Sequence, residues 1–332
     1  VIRSRPATGL PEIDAGLEAR LADGLAAVDA RLREVVDHDD PFIAEAGGYL
    51  VNAGGKRFRP LLTLLCAEAA GDADDRVVEA AVGVELTHLA SLYHDDVMDD
   101  AELRRGVASA NVRYGNSTAI LVGDLLFGTA SRVIAELGAE AVRIQAETFV
   151  RLCAGQIRDE RGPAEGQDPV ASYLQVLADK TGALIATAAR YGALLGGGDE
   201  AAVATLTDFG ERLGVVFQLA DDLLDVASES GDSGKTPGTD LREGKATLPV
   251  LYARSSQDPE DARLRELLAG PVAAEDVPEA LALLREHPAM AQARQRTVEL
   301  AQEARGLLAS LPPGPAVDAL DRLVEGVALR SA

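Results

Sequence analysis

The chain is predicted to be all-α, on three observations. Apolar residues recur at helical spacing along most of its length, and no stretch shows the sustained apolar/polar alternation of a half-buried strand. Ala, Leu, Val, Glu and Arg dominate the composition, and most of these are strong helix formers. Aromatic residues, which favour strands, make up only 4% of the chain and Trp is absent. At 332 residues the chain can bury a sizeable core, and it is read as one helical domain over 1–332.

The elements follow in order. Residues 10–36 read as an amphipathic N-terminal helix, with Pro11 suited to its first turn. Arg59-Pro60 opens a second helix that runs to about Ala70, where Gly71-Asp72 ends it. A long helical pattern covers 74–100 and gives way to a polar turn at 102–106. Further helices are expected at 117–137, 140–160, 169–195 and 200–228. Residues 229–244 are dense in Gly, Ser, Asp, Pro and Thr, and form the clearest loop in the chain. From about 250 to 330 the pattern is Ala/Leu/Arg helices broken by Pro, with no evident chemistry.

Charge and cysteine usage exclude several functions. The formal charge of −22 argues against nucleic-acid binding, which needs a basic face, and disfavours attachment to anionic lipid. An anionic substrate would therefore need locally concentrated cations. Cys66 and Cys153 offer neither a disulfide framework nor zinc-ligand spacing. The longest apolar stretch, around 182–198, is interrupted by Arg190 and rich in Gly, so no membrane insertion is expected. A cytoplasmic location is the default reading.

One acidic signature occurs twice. Asp95-Asp96-Val97-Met98-Asp99 and Asp221-Asp222-Leu223-Leu224-Asp225 both read Asp-Asp-x-x-Asp. On a helix, Asp95 and Asp99 share a face, as do Asp221 and Asp225, and each like-charged pair costs about 0.2–0.5 kcal/mol. Both helices are otherwise apolar nearby, so a cation is the natural compensator. Hard oxygen ligands of this kind suit Mg²⁺, which keeps waters and shares itself with substrate phosphates.

Lysine placement is equally informative. Among 32 Lys plus Arg, the lysines are Lys56, Lys180, Lys235 and Lys245 alone. Each neighbours Gly, Thr or Arg, as phosphate-binding lysines do. Lys supplies a compact charge to phosphate oxygens and Arg a planar, two-pronged contact. Two carboxylate clusters and separate cation groups imply two anionic ligands. One would sit on the metals with Lys180, Lys235, Lys245 and Arg104 around it. The other would sit without metal on Lys56, Arg59, His88 and Arg105. His88 falls seven residues before Asp95 and so on the same helix face, although a core histidine is the alternative. Thr181 and Gln218 are candidate polar contacts, with a helix cap or core hydrogen bond the alternative for Gln218.

At these residues the sequence resembles the trans-type polyprenyl diphosphate synthases, helical enzymes that elongate isoprenoid chains, and in particular the medium- and long-chain bacterial members. The matching stretches are 54–60, 85–106, Gly123-Asp124, Lys180-Thr181-Gly182 and 217–225, followed by Lys235 and Lys245. They span about 47–250 in the family's order. The resemblance implies a single large helical bundle with a central active-site cavity, and a homodimer. It implies that Lys56, Arg59, His88 and Arg105 bind isopentenyl diphosphate. Arg104, Lys180, Thr181, Gln218, Lys235 and Lys245 would bind the allylic diphosphate. Asp95, Asp96, Asp99, Asp221, Asp222 and Asp225 would hold magnesium, three ions with the allylic diphosphate bound. The chain ends with a single basic residue, Arg330, among its last six, which departs from relatives with a basic tail.

The residues fit an ionisation–condensation reaction. Metal and cations, with Asp95, Asp99, Asp221, Asp225, Arg104 and Lys180 as the catalytic set, stabilise charge on a departing diphosphate. The second substrate's double bond attacks the allylic cation and a proton is lost. Product length is read from the helix before Asp95, where Ser91, Ala90 and Thr87 are small. One helical turn is about 5.4 Å, close to an extended isoprene unit, so a deep tunnel and a product of twenty carbons or more are expected, of the kind used in quinone side chains. Two rival readings are a class I terpene cyclase and a non-catalytic subunit of a heteromeric synthase. The cation set at Lys56, Arg59 and Arg105 has no use in a cyclase, and degraded acidic motifs would mark a silent subunit, whereas both are intact.

Overall fold

The computed structural model describes residues 13–228 and 237–329. Its helices are α1 (Ala15–Val35), α2 (Pro41–Asn52), α3 (Phe58–Ala70), α4 (Asp75–Met98), α5 (Ala110–Tyr114), α6 (Asn116–Ala135), α7 (Ala139–Arg161), α8 (Pro169–Leu177), α9 (Ala183–Leu195) and α10 (Glu200–Ala227). They continue as α11 (Thr239–Glu243), α12 (Leu248–Ser255), α13 (Ala262–Leu267), α14 (Val277–Glu286), α15 (Pro288–Leu308) and α16 (Pro315–Ala328). The only strands among the described residues are β1 (Leu103–Arg104) and β2 (Val107–Ala108), an antiparallel pair. The fold is all-α, as expected.

The described residues group into two compact units. One comprises those of Val1–Val150, Leu184–Gly210 and Leu308–Leu320; the other, those of Arg151–Ala183, Glu211–Leu307 and Asp321–Ala332.

In the first unit α4 is the central element, packed by α1, α3 and α6. Its apolar residues point in every direction and most of them from Val77 to Tyr93 are buried, the pattern of a core helix. Asp74 caps its start, accepting from the amides of Arg76 and Val77. Close approach to α6 depends on two glycines: a Cβ at Gly83 would overlap Ile134, and one at Gly123 would overlap the His94 ring. Tyr93 ties α4 to α2 by donating to the Ala46 carbonyl at 2.6 Å and accepting from the Leu50 amide at 3.3 Å.

Helix α2 was not anticipated. Asp40 caps it and Pro41 occupies its first turn, but Gly47 and Gly48 lower its intrinsic propensity. Both glycines are buried, so tertiary packing carries the helix. The expected helix over 169–195 is also interrupted: Ala178–Gly182 form a π-turn between α8 and α9.

In the second unit Arg285 of α14 donates to the carbonyls of Val226 and Ser228, both at 2.7 Å, and so satisfies the C-terminal end of α10. The Val272 amide bonds the Leu241 carbonyl at 2.8 Å, fixing α11 to the chain after α13. Lys235 and Arg330, named from the sequence, lie outside the described residues, as do the first residues of the anticipated 10–36 helix.

Candidate active site

The first acidic motif occupies the C-terminal end of α4. Asp99 caps that helix, and Asp100 takes the left-handed conformation (φ 50°) that ends it. Asp95, Asp96 and Asp99 thus crowd the negative end of the helix dipole, where anions are disfavoured. Asp96 is fully buried. Its Oδ1 accepts from Arg104 Nε at 2.6 Å, and its Oδ2 is buried with no partner.

The following hairpin delivers two consecutive arginines to different partners. Arg105 and Gly106 both have positive φ, 54° and 79°, as a two-residue type I′ turn requires. Arg104, in β1, reaches Asp96. Arg105 turns to the 54–57 loop, donating to the carbonyls of Leu50 (3.0 Å) and Gly54, with Glu85 at 3.8 Å. Its guanidinium lies over Gly55, where a Cβ would come within 2.9 Å.

That loop begins α3 and is built from left-handed residues: Gly54 (φ 83°), Gly55 (φ 148°) and Arg57 (φ 48°). Arg57 is a strut. It donates to Asp29 at 2.8 Å, Glu85 at 3.0 Å and the Val51 carbonyl at 3.0 Å. Lys56 beside it is exposed. Arg59 Nε is buried without a partner; burial lowers the Arg59 pKa to about 10, and Arg105 adds to the effect while Glu85 opposes it. The guanidinium is still cationic at neutral pH.

His88 completes this group. Burial pushes its pKa well below 6.5, and the charges of Arg59, Arg105, Arg104 and Arg57 push it further, so the imidazole is neutral at pH 7. His88 is therefore within electrostatic reach of Arg59, Arg104 and Arg105, and Glu85 is the buried counter-charge to Arg59 and Arg105. Among the chain-length candidates, Thr87 and Ala90 are fully buried and Ser91 is partly open. Thr87 Oγ1 donates to the Gly83 carbonyl at 2.8 Å and accepts from Gln145 Nε2 at 2.7 Å.

The second acidic motif lies near the C-terminal end of α10, again at the negative end of a helix dipole. Gln218 joins two of the sequence-named residues: its Nε2 donates to Asp222 Oδ1 at 2.9 Å, and its Oε1 accepts from Thr181 Oγ1 at 3.3 Å. The Tyr173 hydroxyl donates to Asp222 Oδ2. Burial raises the Asp222 pKa to about 6, opposed by these hydrogen bonds and aided by Asp221 and Asp225. Asp225 accepts from the Thr239 and Asp240 amides at 3.3 and 3.1 Å, which holds the start of α11. Lys180 Nζ pairs with Asp159 at 2.7 Å, and Lys245 Nζ with Glu243 at 2.9 Å.

Sequence reading missed Asp240 and Tyr173. Burial lifts the Asp240 pKa to about 7, aided by Asp222 and Asp225 and opposed by Lys245. The signal for Asp240 was its place between Lys235 and Lys245 in the Gly-rich segment. No signal marked Tyr173.

The donor chemistry fits magnesium. The carboxylates are hard oxygen ligands, Asp96 Oδ2 is orphaned, and burial raises the pKa values of Asp222 and Asp240 to about 6 and about 7, which a neighbouring cation would offset. Among the described residues no three carboxylates, histidines or cysteines converge closely enough to hold an ion by themselves.

Comparison with known proteins identifies the family. The polyprenyl synthetase family profile matches residues 40–284. A nonaprenyl diphosphate synthase of Mycobacterium tuberculosis is 47% identical over 326 residues, covering 96% of this chain and 97% of that protein. A geranylgeranyl pyrophosphate synthase of Corynebacterium glutamicum, solved with calcium and isoprenyl diphosphate, superposes with a TM-score of 0.86 at 40% identity, covering 96% of this chain and 99% of that one. A decaprenyl diphosphate synthase of Rhodobacter capsulatus gives 0.87 at 34% identity with the same coverage. The chain belongs to the polyprenyl synthetase family of prenyltransferases.

Proposed function

We propose that the protein is a polyprenyl diphosphate synthase that adds isopentenyl diphosphate to an allylic diphosphate and releases a product of twenty carbons or more. The observation that carries this reading is the pairing of unfavourable charges with absent partners. Both aspartate motifs sit at the negative ends of helices, and Asp96 Oδ2 and Arg59 Nε are buried with nothing to bind. An Mg²⁺–diphosphate supplies the cation for one and a diphosphate the acceptor for the other.

In this reading Asp95, Asp96 and Asp99 hold magnesium in the first unit, and Asp221, Asp222, Asp225 and Asp240 do so in the second. Bound magnesium, three ions as in the family pattern, would neutralise charge on the leaving diphosphate. Arg104, Lys180, Lys235 and Lys245 add positive charge at the allylic diphosphate, and Thr181 and Gln218 orient it. Lys56, Arg59 and Arg105 bind isopentenyl diphosphate, with His88 a neutral hydrogen-bonding partner. The departing diphosphate accepts the proton lost after condensation. The small residues Ala90 and Ser91 and the names of the relatives support a long product.

The homodimer belongs to the same proposal. Helix α6 is apolar enough by composition to cross a membrane, yet one side of it packs on α4. Its other side leaves Leu121 66% and Leu125 40% exposed, beside Phe149 and Val150 of α7 at 39% and 67%. A second copy of the chain covering this face accounts for it without membrane insertion, in keeping with a cytoplasmic enzyme.

The deciding assay incubates purified protein with isopentenyl diphosphate, Mg²⁺ and dimethylallyl, geranyl or farnesyl diphosphate, then sizes the extracted chains. Linear chains formed with release of diphosphate, and lost with EDTA, are expected. Cyclised hydrocarbon would support a terpene cyclase instead, and silence until a homologue is added would support a subunit.

A further inference from the structure

Between α8 and α9, residues Ala178–Gly182 form one π-turn. Such a turn carries an extra residue and is rare, so it persists where its surroundings hold it. Here α7 presents Arg151, Gly155 and Arg158 on one face, spaced four and three apart. A Cβ at Gly155 would stand 2.7 Å from the Lys180 amide nitrogen and 2.9 Å from the Asp179 carbonyl carbon, so the two backbones touch.

On either side of that contact the arginines close on Asp179. Arg151 Nε donates to Oδ1 at 3.0 Å and Arg158 Nη1 to Oδ2 at 2.5 Å. Gln175 Nε2, one turn earlier, donates to Oδ2 at 3.0 Å. Arg151 is itself braced by Glu211 at 2.9 Å. The Asp179 carboxylate is thus buried, 5% exposed, with three donors. The next two residues are Lys180, paired with Asp159 of the same α7 face, and Thr181, bonded to Gln218. Consecutive residues therefore carry anchor, cation and hydroxyl.

We propose that Asp179 is a positioning residue: clamped by Arg151 and Arg158 over Gly155, it holds the π-turn and sets where Lys180 and Thr181 stand toward the allylic diphosphate. The second part rests on the function proposed above. Without the carboxylate charge the turn loses its clamp, and Lys180 and Thr181 lose the fixed place it gives them.

The test uses full-length wild type, Asp179→Asn and Gly155→Ala, with Lys180→Ala as benchmark. KM is measured separately for the two diphosphates, and amide hydrogen exchange over 178–182 is followed in metal-free protein. Both variants should raise the allylic KM about tenfold, leave the isopentenyl diphosphate KM within twofold, and speed exchange in the turn. An allylic KM within twofold of wild type, a parallel rise in both KM values, or exchange quickened throughout the chain would overturn the proposal. If Lys180→Ala leaves the allylic KM unchanged, the assignment of Lys180 fails on its own. Exchange then decides the clamp: quickening confined to the turn upholds it, and none refutes it.

Discussion

Arg57 Nη1 lies 3.0 Å from Glu85 Oε1, with the two side chains only 8% and 2% exposed. Removing one partner of such a pair strands a buried charge, which typically costs about 3–5 kcal/mol. Glu85 also offsets Arg59 and Arg105. Glu85→Ala should therefore destabilise the protein by about 3 kcal/mol and lower the thermal midpoint, read by circular dichroism. A change below about 0.5 kcal/mol would mean that Asp29 alone satisfies Arg57.

His88 predicts an acid weakness. An unfolded imidazole takes up a proton below about pH 6.5, whereas His88 in the fold does so only well below that value. Between the two, the unfolded chain binds more protons, so stability declines as pH falls from 6.5. The thermal midpoint should drop between pH 6.5 and 5.5, and His88→Gln should flatten part of the slope. Identical slopes in the two proteins would assign the effect elsewhere.

Asp240 and Asp222 act with the opposite sign. Their pKa values, about 7 and about 6 in the fold, lie above the unfolded value. The metal-free fold therefore binds more protons and loses stability as pH rises from the ordinary aspartate value of about 4 to about 6 for Asp222 and about 7 for Asp240. Asp240→Asn should stabilise metal-free protein at pH 8 by on the order of 1–2 kcal/mol, and shrink the rise in midpoint that Mg²⁺ gives wild type. Melting curves with and without Mg²⁺ would show it; a destabilised metal-free variant would contradict it.

Ser91 is the openest of the three small residues expected to line the product tunnel, and its hydroxyl only bonds the His88 carbonyl, at 2.8 Å. Ser91→Phe should place a ring one turn from Asp95 and shorten the product toward fifteen or twenty carbons, with primer consumption retained. Unchanged chain length on chromatography would remove this face of α4 from the tunnel.

A charge at Leu121 should split the proposed dimer. Leu121→Glu is expected to sediment at half the wild-type mass at micromolar concentration. A wild-type protein that is itself monomeric would leave the α6 and α7 face to another use.

Much of this was legible in the sequence, and the exceptions have physical reasons. Helical spacing located α4, α6, α7 and α10 within a few residues of their observed bounds. It missed α2 because Gly47 and Gly48 hide a helix that tertiary burial sustains. It ran α8 into α9 because no residue type encodes a π-turn; the cause lies in Gly155 and Asp179 on different elements. Repeated Asp-Asp-x-x-Asp and the few lysines named the candidate acidic and cationic residues, whose ligand roles remain proposals. Arg57 stands in the same Gly-Gly-Lys-Arg stretch as Lys56, and only the structure shows that Arg57 is a buried strut while Lys56 is exposed. Tyr173 and Asp240 acquire their importance from Asp222, a relation that chain order does not display.

The seat of Arg105 over Gly55 couples two positions that are fifty residues apart. Any side chain at 55 would evict the guanidinium and would also sit badly at a φ of 148°. The two are coupled: a methyl at 55 would displace the guanidinium at 105, and a shorter residue at 105 would forfeit a cation. Under the proposed role of Arg105 at the second diphosphate, an evolving lineage would find position 55 closed to it. A library that varies both codons together should return Gly with Arg and very little else.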